Sequence, residues 1–198
     1  FVSTVHGFNS VNAYSKIMTR GIRVICPSSA VADYVRQNYA TPPEKVRVIH
    51  RGLDTTLFDP ARLDTAFMQE FRQRHGLDQR FVVLGIGRIT RLKGYDVLLR
   101  ATALARERLP AIKTVIVGGT DPARSAYRDE LLRLVQDLGL EAHVVFAGSQ
   151  SRLAEIYACG DVLVSANRHK PEAFGRSMVE ALAMGLPVIA TRFGGALD

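Results

Sequence analysis

Residues 81–94 read FVVLGIGRITRLKG, and this stretch decides the fold. Phe81–Ile86 is an unbroken apolar run of strand length, the kind buried on both faces of a parallel sheet. Glycines at 85 and 87 then turn the chain, and Arg88 and Lys93 follow before a helix predicted over residues 95–108. The apolar stripe of that helix is read as Val97, Leu98, Ala101, Leu104 and Ala105. A strand that passes through a glycine turn into an amphipathic helix is the first half of a βαβ unit.

The same alternation continues in both directions. Downstream, strands are predicted over 114–117, 143–146, 161–165 and 187–191, with helices over 124–138, 151–158 and 176–184. Upstream, a helix over 62–74 stops at Gly76. Before it, residues 51–60 are rich in Gly, Asp, Thr and Pro and read as a linker. Strands over 1–5, 22–26 and 46–50 lie further upstream. Helices over 9–19 and 30–39 separate them, the second capped by Ser28. The fold class is therefore α/β, with helices on the faces of a parallel sheet. The domains divide as 1–53, a small βαβαβ unit with its linker, and 54–198, a larger α/β domain. The sequence opens in mid-strand and stops directly after a strand, so it is expected to belong to a longer protein.

Composition excludes several function classes. With 47% hydrophobic and 23% charged residues the chain is ordinary globular protein. No apolar run reaches about 18 residues, so no spanning helix is expected. The first residues lack the charged start and apolar stretch of a signal peptide. Cys26 and Cys159 read as buried, unpaired thiols, which suits a reducing cytoplasm. The net charge of +7 and pI near 9.8 come mostly from arginine. The arginines are scattered, however, and no basic strip interleaved with aromatics marks a nucleic-acid groove. Peripheral contact with an anionic membrane is the secondary reading of that charge.

Two constellations carry chemistry. At the carboxyl end of the strand 81–86, glycines let backbone N–H groups approach phosphate oxygens, and the following helix adds favourable partial charge. A dinucleotide fingerprint is disfavoured: Thr90 occupies the third glycine position, and the next strand ends in Gly118-Gly119 without an acid. Arg88 and Lys93 on one loop instead suit a diphosphate, the first as a fork and the second as a point charge. A plain solvated turn leaves the glycines and the strand-end position unexplained. The second constellation is KPEAFGRSMVE, residues 170–180, with Glu172 ahead of a helix and Glu180 inside it. Such carboxylates can accept from vicinal hydroxyls, and the first N–H groups of the helix, at Phe174, Gly175 and Arg176, can meet a sugar or phosphate. In the alternative reading Glu172 only complements the helix dipole and Glu180 is a surface residue. A diphosphate cradle together with a hydroxyl-binding acid pair suits nucleotide diphosphate sugars.

On these motifs the chain resembles the large retaining glycosyltransferase family 4, of two-Rossmann-domain (GT-B) architecture. GRITRLKG resembles the family's G-R-x-x-x-x-K-G element, and EAFGRSMVE its E-x₇-E motif with the inner F-G. VRVIHRGLDTTLF resembles its I-x-N-G-V-D-x-x-x-F linker, with Arg51 where asparagine is usual. ALAMGLPVIATRFGG matches the segment that follows the acid pair. The resemblance implies a doubly wound donor domain at 54–198 and the C-terminal part of a second Rossmann-like domain at 1–53. It implies that Arg88 and Lys93 bind the donor diphosphate, that Glu172 faces the transferred sugar, and that Glu180 holds the ribose. The backbone of Ala173, Phe174, Gly175 and Arg176 would contact sugar and phosphate. Gly118 would line the nucleotide site, with Ser149 and Gln150 beside the base. His6 is a candidate for facing the donor.

The implied reaction is transfer with retention to a glycan or lipid-linked hydroxyl, electrostatically assisted by Arg88 and Lys93. No cofactor is expected. The histidine spacing and the lack of an Asp-x-Asp motif point to a metal-independent enzyme. Neither UDP, GDP nor ADP is singled out as the carrier of the sugar. A glycosidase built on Glu172 and Glu180 leaves the cradle unexplained. A nucleotide-sugar epimerase, or a binding fragment without activity, are the remaining alternatives. The expected setting is the cytoplasm, at the inner face of the membrane in the case of a polysaccharide or lipopolysaccharide pathway.

Overall fold

The computed structural model describes residues 1–120 and 125–198. The chain forms two compact units. The first takes Phe1–Gly52, His169–Arg176 and Arg192–Asp198, and the second Leu53–Arg168 and Ser177–Thr191.

In the first unit, strands β1 (Val2–Thr4), β2 (Arg23–Cys26) and β3 (Val46–Val48) form a parallel sheet in the order β1-β2-β3. Helix α1 (Ser29–Tyr39) connects β2 to β3. Ser28, with extended φ of −155°, accepts from the Val31 N–H at 3.2 Å and starts α1 as its sequence suggests. The core is Val5, Val24, Cys26, Val31, Ala32, Val35 and Val46. The helix predicted over 9–19 is not formed: only Ser15–Thr19 coils, as a 3₁₀ turn. Asn12 and Ser15 exchange bonds, the Ser15 N–H to Asn12 Oδ1 at 2.8 Å and the Asn12 N–H to Ser15 Oγ at 3.0 Å. Short polar side chains thus take the backbone partners that an earlier helical start would need.

Both cysteines are buried and unpaired. Burial pushes the Cys26 thiol up to about 11, against the opposing charge of Arg36. A neutral thiol is what this core accepts, so its contribution to stability is full below pH 9.0 and is lost as pH rises toward about 11. Thermal unfolding followed over that range should fall more steeply in the native chain than in Cys26→Ala. Equal slopes would remove the thiol from the account.

In the second unit, five parallel strands run in the order β6-β5-β4-β7-β8. They are β4 (Phe81–Ile86), β5 (Ile112–Val117), β6 (Val144–Gly148), β7 (Val162–Ser165) and β8 (Val188–Ala190). Helices α2 (Thr65–His75), α3 (Tyr95–Ala105), α4 (Ala126–Asp137), α5 (Leu153–Ala158) and α6 (Arg176–Ala183) alternate with them. Arg124, placed in a helix by the sequence, lies outside the described residues. Asp64 caps α2 by accepting from Phe67 N–H at 3.0 Å, which starts that helix later than position 62.

The buried stripe of α3 is Tyr95, Leu98, Leu99 and Thr102, while Val97 and Leu104 face solvent. The predicted stripe was rotated because Thr102 occupies an apolar position. Its hydroxyl is satisfied there by the Leu98 carbonyl at 2.9 Å and by Thr114 Oγ1 at 2.7 Å, and a polar group so paired is tolerated in a core. Sequence from β4 runs first to β5 and β6 on one side, then to β7 and β8 on the other. The strand order therefore reverses at β4, and a crevice opens at the carboxyl ends of strands at such a switch point.

Candidate functional site

In the second unit the carboxyl ends of β4, β5 and β6 are laced together by glycine backbone. Gly87 N–H donates to the Val117 carbonyl at 2.9 Å, Gly118 N–H to Gly148 at 2.8 Å, and Ile89 N–H to Gly119 at 3.0 Å. Gly118, with φ of 156°, passes so close to the Gly87 carbonyl that a Cβ there would overlap it. The Tyr95 hydroxyl donates to the same Gly87 carbonyl at 2.7 Å from the first residue of α3. Burial pushes the Tyr95 phenol far up, so it stays a neutral donor. We expect Tyr95→Phe to cost about 1 kcal/mol of stability and to weaken nucleotide binding, as measured by denaturant unfolding and calorimetry. Unchanged nucleotide affinity would separate the Gly87 turn from the ligand.

The loop after Gly87 presents cations of different standing. Arg91 is neutralised by Glu130, at 2.6 and 2.7 Å to its two oxygens, and lies over the Tyr127 ring at 4.9 Å. Arg88 is exposed and makes no ion pair among the described residues. Lys93 is half-buried, in a short 3₁₀ turn, Arg91–Lys93, that closes on Gly94. Gly94 sits at φ 62°, so placed that an added Cβ would overlap the Ala166 carbonyl beyond β7. The β7 loop is held in turn by Arg168, whose N–H donates to Leu92 O at 3.1 Å and whose guanidinium meets Asp96 at 2.7 Å.

A cavity of about 380 Å³ opens beside Gly118 and Ser149. Its lining includes Ile89, Thr120, Phe146 and Arg128, none of which the sequence singled out. The register of β5 against β6 shifts between Ile116 and Val117, which marks the start of this opening. Gln150 does not line it: its amide turns back to the Ala147 carbonyl at 2.6 Å.

Glu180 lies in the same unit, in α6, and is 4% exposed. The surface-residue reading of it is thereby overturned. The Tyr157 hydroxyl donates to Glu180 Oε2 at 2.9 Å and fixes the carboxylate. Sequence spacing brought Glu180 forward, but nothing in the pattern linked it to Tyr157 on α5.

Glu172, Ala173, Phe174, Gly175 and Arg176 belong to the first unit, with His6. Glu172 pairs with Gly194 in a parallel bridge, and its carbonyl accepts from Gly195 N–H at 2.6 Å. Its Oε1 accepts from Ala173 N–H at 3.2 Å. Phe174 stacks on His50, ring centroids 6.1 Å apart and 27° between planes. His50 is itself oriented by a 3.2 Å contact from Nδ1 to the Pro27 carbonyl. His6 is exposed, and an Arg51 N–H donates to its Nδ1 at 3.0 Å. The pairing gives Arg51, where asparagine was the expectation, a partner that the motif alone did not reveal. Among the described residues no three His, Cys, Asp or Glu side chains converge as a metal site.

Comparison with known proteins follows this geometry. The family described as Glycosyl transferases group 1 matches residues 67–198, and Glycosyltransferase Family 4 matches residues 1–57. A D-inositol 3-phosphate glycosyltransferase of Rhodococcus opacus is 35% identical over 185 residues, covering 91% of this chain and 40% of its own. A crystal structure of Anabaena Alr3699/HepE in complex with UDP and glucose is similar at TM-score 0.85 and 28% identity. That match covers 99% of this chain and 54% of the Anabaena chain. A glycosyltransferase structure from Rickettsia africae gives TM-score 0.89 at 29% identity, covering 100% of this chain and 52% of its own. The chain thus spans about 40% of the length of the curated relative it matches.

Proposed function

The chain belongs to the glycosyl transferases group 1 family, and on that premise we propose that its protein transfers a sugar from a nucleotide diphosphate sugar to an acceptor hydroxyl. The parallel-sheet α/β fold is of the GT-B type, as in the solved glycosyltransferases it matches. The observation that carries the proposal is the glycine-laced edge of β4, β5 and β6. It offers close backbone approach beside the exposed guanidinium of Arg88, which makes no ion pair among the described residues, while the neighbouring Arg91 is already neutralised. That division of labour suits an anionic ligand held at the strand ends.

In the proposed reaction the bond from the anomeric carbon to the diphosphate breaks, and a bond to the acceptor oxygen forms on the same face. The acceptor proton passes to the departing phosphate. Arg88 and Lys93 stabilise charge gathering on that leaving group. Glu180, held by Tyr157, takes the ribose hydroxyls, and Ser149 and Gly118 border the base. Glu172 positions the transferred sugar, with the backbone of Ala173–Arg176, and His6 is assigned to the same sugar. The acceptor is proposed to be a glycan or a lipid-linked hydroxyl, and the reaction to need no metal ion or other cofactor. UDP is the first nucleotide to test, because the Anabaena protein was solved with it.

Calorimetry with UDP, GDP and ADP tests donor binding, and proton NMR of the product tests retention. Binding of one nucleotide, with an α-linked donor giving an α-linked product, is the expected result. No binding by any of the three, or inversion, would overturn the proposal.

A further inference from the structure

We propose that Arg51 sets the proton of His6, making that imidazole a hydrogen-bond donor through Nε2 and closing Nδ1 as a proton acceptor. Arg51 Nη2 lies 3.0 Å from His6 Nδ1. A guanidinium carries N–H donors and no acceptor, and it keeps its charge in any folded protein. The hydrogen bond of this pair therefore runs from Arg51 to a bare lone pair on Nδ1. A neutral imidazole holds one proton, so with Nδ1 accepting, that proton sits on Nε2. A proton on Nδ1 would set donor against donor across the contact.

Both partners belong to the first unit, and each is held from its own side. His6 directly follows Val5, which is fully buried and donates its N–H to the Ile25 carbonyl at 2.9 Å. On the other flank, a Cβ added to Gly7 would stand 3.5 Å from the Ala173 Cβ. Arg51 directly follows His50, whose Nδ1 lies 3.2 Å from the Pro27 carbonyl and whose ring stacks on Phe174. The two chain positions are thus fixed independently, and the side-chain contact spans 45 positions of sequence between them.

With Nδ1 engaged, the polar atom His6 has left for a ligand is Nε2, which gives a hydrogen bond and takes none. Such an atom suits a hydroxyl or phosphate oxygen. It cannot remove the proton of an acceptor hydroxyl, since general-base action needs a free lone pair within reach of that proton. Arg51 acts through His6 and is a positioning residue. The consequence for transfer rests on the proposed assignment of His6 to the sugar, whereas the placement of the proton does not.

The first arm of the test is nitrogen-15 NMR of the histidine rings in the complete protein at about pH 8, where an ordinary imidazole is neutral. The His6 signals are those lost in His6→Gln. In the native protein the ring proton should sit on Nε2. A histidine free in water already leans to that tautomer, so Arg51→Glu decides. Its carboxylate only accepts, and the ring proton should move to Nδ1, while Arg51→Lys, again a donor, should keep it on Nε2. The same tautomer in the native protein and in Arg51→Glu would overturn the proposal. The second arm is transfer, with the unfolding temperature as a check on folding. Glutamine at position 6 sets an amide N–H near the place of Nε2, and asparagine near that of Nδ1. His6→Gln should therefore keep a kcat/KM about ten-fold above that of His6→Asn, the scale of one hydrogen bond. Equal values or the reverse order would overturn the donor role. Expected reversal of the tautomer in a protein that transfers no sugar would uphold the placement of the proton and sink the proposed function instead.

Discussion

Replacing Arg88 or Lys93 with alanine in the complete protein should lower the rate of sugar transfer by roughly 10²–10³-fold, the scale of removing one group that stabilises charge in a transition state. Both follow a strand whose end is fastened to its neighbours through Gly87 and Gly118. The backbone from which both side chains extend is thus held in place. The control lies in the same loop. Arg91 already reaches both Glu130 oxygens through its Nη2, so Arg91→Ala should change transfer by no more than a few-fold and cost at most about 1 kcal/mol of stability, as exposed pairs do. The measurement is kcat and KM with the nucleotide sugar. Near-normal turnover in Arg88→Ala and Lys93→Ala, or equal losses in all three, would sink the assignment.

The second large effect is expected at Gly94. Alanine there combines a left-handed backbone, φ 62°, with a methyl group driven into the Ala166 carbonyl. Gly76 offers the matched comparison, since its φ is 61° and nothing lies within 4 Å of an added Cβ. Gly76→Ala should therefore cost only the backbone term, about 1–2 kcal/mol. Gly94→Ala should cost that and a clash with main chain that cannot swing aside. The difference should appear as a further fall in unfolding temperature of several degrees, at ~2–4 °C per kcal/mol for a chain of this size. It should also weaken nucleotide binding, because Lys93 precedes Gly94 directly. Equal losses at the two glycines would mean that the close approach to Ala166 carries no weight.

Where the candidate residues fall in the fold was partly legible before any coordinates, and the reasons are local. A glycine-rich turn after an apolar run shows itself in consecutive residues, so Arg88, Lys93 and the strand end they follow were readable. Strand and helix alternation was readable for the same reason. What escaped reading depends on partners distant in sequence. Thr102 enters the apolar stripe of α3 only because Thr114 stands opposite it, and that displaced the predicted stripe by a third of a turn. Tyr157 supports Glu180 from another helix, and Glu130 neutralises Arg91 from across 39 positions. The missing helix at 9–19 failed for the opposite reason. Its competing bonds between Asn12 and Ser15 are local, but apolar periodicity gives them no weight.

The all-parallel order of the larger sheet bears on how the molecule forms. Val83 pairs with Thr114 on one side and with Val162 on the other. No parallel neighbour can be reached through a tight hairpin. Closing the longer of these two connections costs ~0.8 kcal/mol more chain entropy than the shorter, so β4 and β5 are expected to pair before β7 arrives. Gly94 lies close to the main chain just beyond β7. The turn bearing Lys93 is then among the last parts of the sheet's edge to become rigid. Competence for the ligand would lag behind collapse during refolding, and a stopped-flow trace of nucleotide binding should trail the recovery of helical signal.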